Sequence, residues 1–222
     1  MKETGIIMSG DHPRLILDGR KTMTRRVVKH PAIPNSDIVG VKEYLYVPAQ
    51  EHPSEIDVPE GYYALLKCNA NQDRNTTYFR SPYGQVGDRL WVRETWRILD
   101  DTMLLDDEVR IEYRADRQII NRRYGDIAWN EAGMDLPVIQ SAMEDGKWKP
   151  AHHLPHIISR ITLEITEVRV ERLQEIGDDV LDEGFVDTDA FIVTWDSLNA
   201  KRGYGWEVNP WLWVISFKVK EA

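Results

Sequence analysis

The run Leu17-Asp18-Gly19-Arg20-Lys21-Thr22-Met23-Thr24-Arg25-Arg26 marks a change from helix to strand. Upstream, Leu15 and Ile16 belong to a short helix. Asp11 is its expected N-cap, Pro13 sits in the first turn where proline is tolerated, and Gly19 stops it. Downstream, residues 22–28 read as a strand. Side chains of an extended chain alternate, so Thr22, Thr24 and Arg26 share one face while Lys21, Met23 and Arg25 share the other. If Lys21 still lies in the turn, its stem can swing back beside the Thr24 hydroxyl. A lysine whose pKa is lowered by burial or by neighbouring cations can activate such a hydroxyl as a nucleophile. The alternative reading is a solvated basic strand following a helix end.

The bulk composition narrows the choices. A chain of 222 residues, 42% hydrophobic and 29% charged, has the make-up of a globular protein with a sizeable core. The net charge of −9 argues against a surface that grips nucleic acid everywhere, although the first thirty residues hold seven Lys/Arg against three Asp/Glu. Cys68 is the one cysteine, which excludes an internal disulfide and fits a reducing compartment. No secretory signal pattern or membrane-spanning apolar run is visible, so the expected location is cytoplasmic. Four of the eight tryptophans fall in the last thirty residues. Trp211 and Trp213 read as core, and Trp206, between a glycine and a charged residue, as a pocket wall.

Short strands are expected along the whole chain, at about 6–8, 22–28, 44–47, 62–67, 89–96, 109–114, 160–172 and 211–219. Two late helices, at 177–183 and about 189–198, join the first. The strand at 160–172 is expected to bulge near Thr166-Glu167, and the last strand to put Trp211, Trp213, Ile215 and Phe217 on one face. Residues 30–85 are broken by Pro31, Pro34, Pro48, Pro53, Pro59 and Pro82. Residues 115–158 read as an excursion over the surface. This pattern does not describe βαβ units. It predicts one α+β domain over residues 1–222: a small, mostly antiparallel barrel with flanking helices and long inserted loops at about 30–85 and 115–158.

His152, His153 and His156 lie close in sequence but lack a thiolate or a His-Glu-x-x-His helix, so no metal is expected. Phosphate-loop, dinucleotide and Gly-x-Ser-x-Gly signatures are absent, and no cofactor is expected. Glu183 ends the 177–183 helix beside Leu181 and Phe185. It is either a partly buried carboxylate able to shuttle a proton or a solvated helix end. Asp88 and Glu94 read as turn and surface groups. Arg93 and Arg160, flanked by apolar residues, can reach into a groove and pair with an acid or a phosphate.

Gly19-Arg20-Lys21-Thr22-Met23-Thr24-Arg25-Arg26 resembles the signature of ASCH domains, which have a PUA-like barrel. Gly87-Asp88-Arg89-Leu90-Trp91-Val92-Arg93-Glu94, Ser159-Arg160-Ile161-Thr162-Leu163 and Asp182-Glu183-Gly184 are similar to later parts of that family. Trp195-Asp196-Ser197-Leu198-Asn199 and Gly205-Trp206-Glu207-Val208-Asn209-Pro210-Trp211 resemble the larger ASCH proteins of phages and prophages. Small bacterial members of the superfamily are amidohydrolases that remove the acyl group from N4-acylated cytidines. The resemblance implies Lys21, Thr24 and Glu183 as the catalytic set and Arg26 as a substrate-binding arginine. Arg93, Arg160 and Trp206 are further candidates for substrate contact, and Tyr83 for stacking on the pyrimidine. Backbone N–H groups of residues 19–22 are candidates for oxyanion stabilisation. This chain is about twice the length expected of the small hydrolases. The expected function is therefore a metal-independent amidohydrolase of a modified nucleoside such as N4-acetylcytidine. The competing function is a PUA-like RNA-binding module or ribonuclease of phage type, with Arg114, Arg117, Arg122 and Arg123 as candidate groove residues.

Overall fold

A computed structural model describes residues 1–29, 38–47, 61–68, 76–99, 108–123, 126 and 136–220; for 39–47, 61–68 and 76–79 it describes the backbone. The chain is α+β, with eleven strands and three α-helices among the described residues. Its packing forms two compact units interleaved in sequence. Unit 1 comprises residues 1–2, 20–88 and 164–218, and unit 2 comprises 3–19, 89–163 and 219–222.

In unit 1, β2 (Met23–Val27) pairs antiparallel with β11 (Trp211–Val219), and β10 (Thr162–Arg172), which enters this unit at residue 164, lies on the other side of β11. The register sets Trp213 against Arg26, Val214 against Arg25 and Ile215 against Thr24. Strand β11 is buried on both faces from Trp211 to Ile215, so the expected one-sided pattern is exceeded: Leu212 and Val214 are as covered as the aromatic residues. In β10 the buried positions change from Leu163 and Ile165 to Val170, with Thr166 and Glu167 both exposed. That change of phase is what an extra residue in the strand produces, and it lies where the sequence placed it.

Helix α3 (Thr188–Asn199) starts at Asp187, whose carboxylate accepts the Ala190 N–H at 2.8 Å. Its Phe191 and Trp195, four residues apart on one face, join Leu173, Ile176, Val180 and Leu212 in the core of this unit. A three-stranded antiparallel sheet of β3 (Ile38–Val47), β4 (Gly61–Cys68) and β5 (Thr76–Phe79) extends both strands expected between residues 30 and 85 and adds a third. Pro31, Pro34, Pro48, Pro53 and Pro59 lie outside the described residues.

In unit 2, β1 (Glu3–Ile7) runs parallel to β6 (Arg89–Arg93). Helix α1 (His12–Leu17) has Pro13 in its first turn, and Gly19 turns at φ +70° with its N–H on the Ile16 carbonyl. Asp11 makes no capping bond; its carboxylate pairs with Arg14 instead. The strand expected at 89–96 breaks after Arg93, and β7 (Trp96–Ile98) joins β8 (Glu108–Tyr113) and β9 (Ile119–Arg123) in a separate antiparallel sheet.

The described residues between 115 and 158 are not all a surface excursion. They supply β9 and α2 (Leu136–Asp145), and Ile139, Ala142, Leu154 and Ile158 close a core around Trp96, Ile98, Val109, Ile111 and Tyr113. The Arg- and Asn-rich composition hid a half-buried strand whose inward residue, Ile120, alternates with exposed ones.

Candidate active site

The site in unit 1 is assembled from the start of β2 and a turn some 160 residues later. Residues 177–180 form a 3-10 turn rather than the expected helix to Glu183, and the chain then closes through two backbone bonds. The Phe185 N–H reaches the Val180 carbonyl at 3.1 Å and the Gly184 N–H the Leu181 carbonyl at 2.9 Å, with Gly184 at φ +86°. This is the bond pattern of a Schellman closure, with Glu183 in the last position before the left-handed glycine. Its usual apolar contact is present, since Val180 and Phe185 belong to the same cluster.

The turn is fastened to β2 by backbone and side chain together. The Asp182 carbonyl accepts the N–H groups of Thr22 (2.8 Å) and Met23 (3.2 Å), and its carboxylate accepts the Thr22 hydroxyl at 3.1 Å. On the other side, the Phe217 N–H donates to the Thr22 carbonyl at 2.8 Å. These bonds leave no freedom in where Lys21 and Glu183 meet.

Lys21 and Glu183 are both buried, with side-chain exposures of 0% and 5%. The Lys21 Nζ donates to Glu183 Oε2 at 2.6 Å and to the Glu183 backbone carbonyl at 2.8 Å. A cation against the final carbonyl of a closed turn meets the negative end of its peptide dipoles as well as the carboxylate. Burial pulls the Lys21 ammonium below its ordinary value; Glu183 opposes that pull, and Arg26 and Arg25 reinforce it. Glu183 is thus the covered carboxylate of the two alternatives rather than a solvated helix end.

Thr24 is buried, one residue from Arg25 and three from Lys21 along the strand. Lys21 does not make the expected hydrogen bond to it. Both bonds of the lysine go to Glu183, because the Asp182–Thr22 fastening brings that residue directly over the turn. Arg26 is half-buried; burial lowers its guanidinium below the ordinary value, while Tyr83 and Glu183 act in the opposite direction. Tyr83 is half-buried, and burial raises its phenol against the pull of Arg26. Arg26 therefore feels the charge of Lys21, Glu183 and Tyr83 alike. Of the backbone groups expected to face an oxyanion, the Gly19 and Thr22 N–H groups are already bonded to Ile16 and Asp182.

Arg25 was not among the expected site residues, although strand alternation puts it on the face of Lys21. Its side chain is 1% exposed, and it reaches Glu183 Oε1 at 3.4 Å, Asp179 at 2.9 Å and Glu171 at 3.4 Å. Glu171 and Asp179 carry no sequence signal of their own, since charged residues in strands and turns are usually solvated.

The remaining candidates have other surroundings. Trp206, in a 3-10 turn of unit 1, sets its ring edge-on to Phe191 at 6.5 Å and packs against the cluster of Leu173, Trp195 and Leu212. It is half-buried in the core wall. In unit 2, Arg160 grips Glu94 through both of its carboxylate oxygens at 2.8 Å, reaches Asp116 at 2.8 Å, and lies over the Tyr113 ring at 4.4 Å. Glu94, read as a surface group, is 2% exposed because it answers this arginine. Arg93 bonds the Leu154 carbonyl at 3.3 Å and covers Trp91 at 4.8 Å. His152 and His153 stack on each other, and His156 stacks on Trp91. Among the described residues no three His, Cys, Asp or Glu side chains are placed to hold a metal ion, and no helix is long and apolar enough to cross a membrane.

No protein-family model, curated protein or solved structure matches the chain.

Proposed function

We propose that this chain is a metal-independent amidohydrolase that removes the acyl group from N4-acylated cytidine-type nucleosides, built on a PUA-like barrel of the ASCH type and acting in the cytoplasm without a cofactor. The observation that carries the reading is the buried 2.6 Å contact between Lys21 and Glu183, on the strand that also holds the buried Thr24. A buried lysine with a lowered pKa beside a carboxylate is a pair that can exchange one proton, which is what general acid–base chemistry on an amide requires.

In the proposed reaction the pair holds one proton throughout the resting state. When the proton is on Glu183, neutral Lys21 accepts the Thr24 hydroxyl proton as the hydroxyl oxygen attacks the acyl carbonyl. Glu183 gives its proton to the departing exocyclic nitrogen, the C–N bond breaks, and the cytidine amine leaves with the acyl group on Thr24. Water then attacks the ester. Its proton goes to Glu183, the Lys21 proton returns to the Thr24 oxygen, and the carboxylic acid is released with the pair restored. Arg26, half-buried beside Tyr83 and Glu183, is the candidate partner for the polar edge of the pyrimidine.

The test is hydrolysis of N4-acetylcytidine, followed by the ultraviolet change to cytidine. Wild type should turn over equally with and without a chelator. Lys21→Ala, Thr24→Ala and Glu183→Ala should each lose about 10²–10⁴-fold. A folded wild type that hydrolyses no N4-acylcytidine overturns the proposal, and salt-dependent RNA binding becomes the property to measure.

A further inference from the structure

We propose that Arg25 is the positioning residue of this site: clamped between Glu183 on one side and Asp179 and Glu171 on the other, it holds the Glu183 carboxylate against Lys21 and governs the proton the two share. The geometry is that of a bridge. Nη1 faces Glu183 Oε1 at 3.4 Å and Met23 Sδ at 3.3 Å, while Nη2 faces Asp179 at 2.9 Å and Glu171 at 3.4 Å. With Lys21 on Oε2 and Arg25 on Oε1, each carboxylate oxygen of Glu183 has its own cation, and the carboxylate cannot rotate without losing one.

The bridge continues outward. Arg169 contacts Asp179, Glu171 and Glu167, so charges alternate from Glu167, 55% exposed, through Arg169 and the Asp179–Glu171 pair to Arg25 and the covered Glu183. Arg25 also has a buried Nε with no hydrogen-bond partner among the described residues. A buried donor without a partner is unfavourable, so stability alone does not account for a guanidinium here. Asymmetric use of its nitrogens fits a residue held to face two acids at once.

The electrostatic surroundings are defined on every side. Lys21 stands just before β2, which presents Arg25 and Arg26; the 177–183 turn presents Asp179, Asp182 and Glu183; β10 presents Arg169 and Glu171; Tyr83 faces Arg26. Strand β11 sets only apolar Trp213, Val214 and Ile215 opposite Arg26, Arg25 and Thr24. With few competing charges on that side, removing the Arg25 cation should strengthen the hold of Lys21 on its proton.

The decisive experiment uses the full chain with isotope-labelled lysine and follows the Lys21 side chain by NMR between pH 6 and 11. A Lys21→Met sample assigns the resonance. Arg25→Met should raise the Lys21 titration midpoint by on the order of one pH unit, because a neighbouring cation disfavours the charged lysine. Arg25→Lys should keep it within about half a unit of wild type. Asp179→Asn, at a one-third-exposed position, should lower it. A midpoint that moves less than about 0.3 unit in Arg25→Met, or falls, overturns the proposal. If that variant does not fold, an unmoved midpoint in Asp179→Asn overturns it equally.

Only the activity arm rests on the amidohydrolase reading: there, the acid limb of kcat/KM should move up with Arg25→Met and return with Arg25→Lys. A wild type without amidase activity whose Lys21 midpoint still responds to Arg25 would sink the function and leave this inference standing.

Discussion

Replacing Glu183 by Gln removes one charge and keeps nearly the same shape, which isolates the electrostatic part of the Lys21 contact. The lysine side chain has 0% exposure, and both of its bonds go to Glu183, so Gln leaves it the backbone carbonyl at 2.8 Å and one neutral oxygen. Breaking a buried pair by removing one partner costs about 3–5 kcal/mol. An independent ceiling exists, because the lysine can shed its proton: from about 10.4 in the unfolded chain, doing so at pH 7 costs ~4.6 kcal/mol. The expected loss at pH 7 is therefore about 3–4 kcal/mol.

Its pH dependence has a definite sign. In the variant the folded state lowers the Lys21 pKa further, so between the folded and unfolded values the unfolded chain binds more protons. Stability must rise with pH across that window, by up to ~1.4 kcal/mol per unit. By pH 9 the loss should have shrunk below about 2 kcal/mol. Urea unfolding at pH 7, 8 and 9 measures both quantities. A loss under about 1 kcal/mol at pH 7, or a loss constant from pH 7 to 9, would refute the reasoning.

Two other outcomes follow from particular contacts. Trp96 is fully buried in the core of unit 2, yet its indole N–H has no partner among the described residues; Trp96→Phe should cost under about 1.5 kcal/mol in thermal or urea unfolding, whereas Trp96→Ala should cost about 3–5 kcal/mol. Gly184 sits at φ +86° directly after Glu183; Gly184→Ala should cost about 1–2 kcal/mol and, by shifting Glu183, should reduce N4-acetylcytidine turnover more than it reduces stability.

The elements that were legible are those where one chemical rule dominated. Trp211–Val219 was readable because it opens with an apolar run, Trp211–Ile215, next to a proline, and Gly19 because a helix end needs a left-handed residue. The phase slip in β10 was readable from two adjacent polar residues inside a regular alternation. Strand β9 was missed because its one inward apolar residue, Ile120, stands among polar ones, and helix α2 because the prolines, arginines and histidines around it outweighed the apolar residues Val138, Ile139, Ala142 and Met143 that it packs inward. In the site, Lys21 and Glu183 were paired in expectation through the family resemblance, and their contact is present. That both Lys21 hydrogen bonds go to Glu183 and neither to the Thr24 hydroxyl was not legible, because it depends on Asp182 fixing the turn from across the chain. Arg25 was visible as a neighbour of Lys21 by alternation, but its acids come from β10 and the 177–180 turn, at separations no local pattern encodes.

The fastening of Thr22 has a consequence for how the protein comes into being. Its two sides are held by Asp182 and Phe217, which are synthesised long after Lys21 and Thr24 have left the ribosome. Lys21 has no carboxylate to meet until Glu183 has been made, and β2 has no partner along that edge until β11 emerges. The amine and the acid thus stay apart until the 177–183 turn has been made, and the strand pairing beside them forms only once β11 has emerged. Pairings this far apart in sequence close slowly, so a nascent chain should acquire its site late.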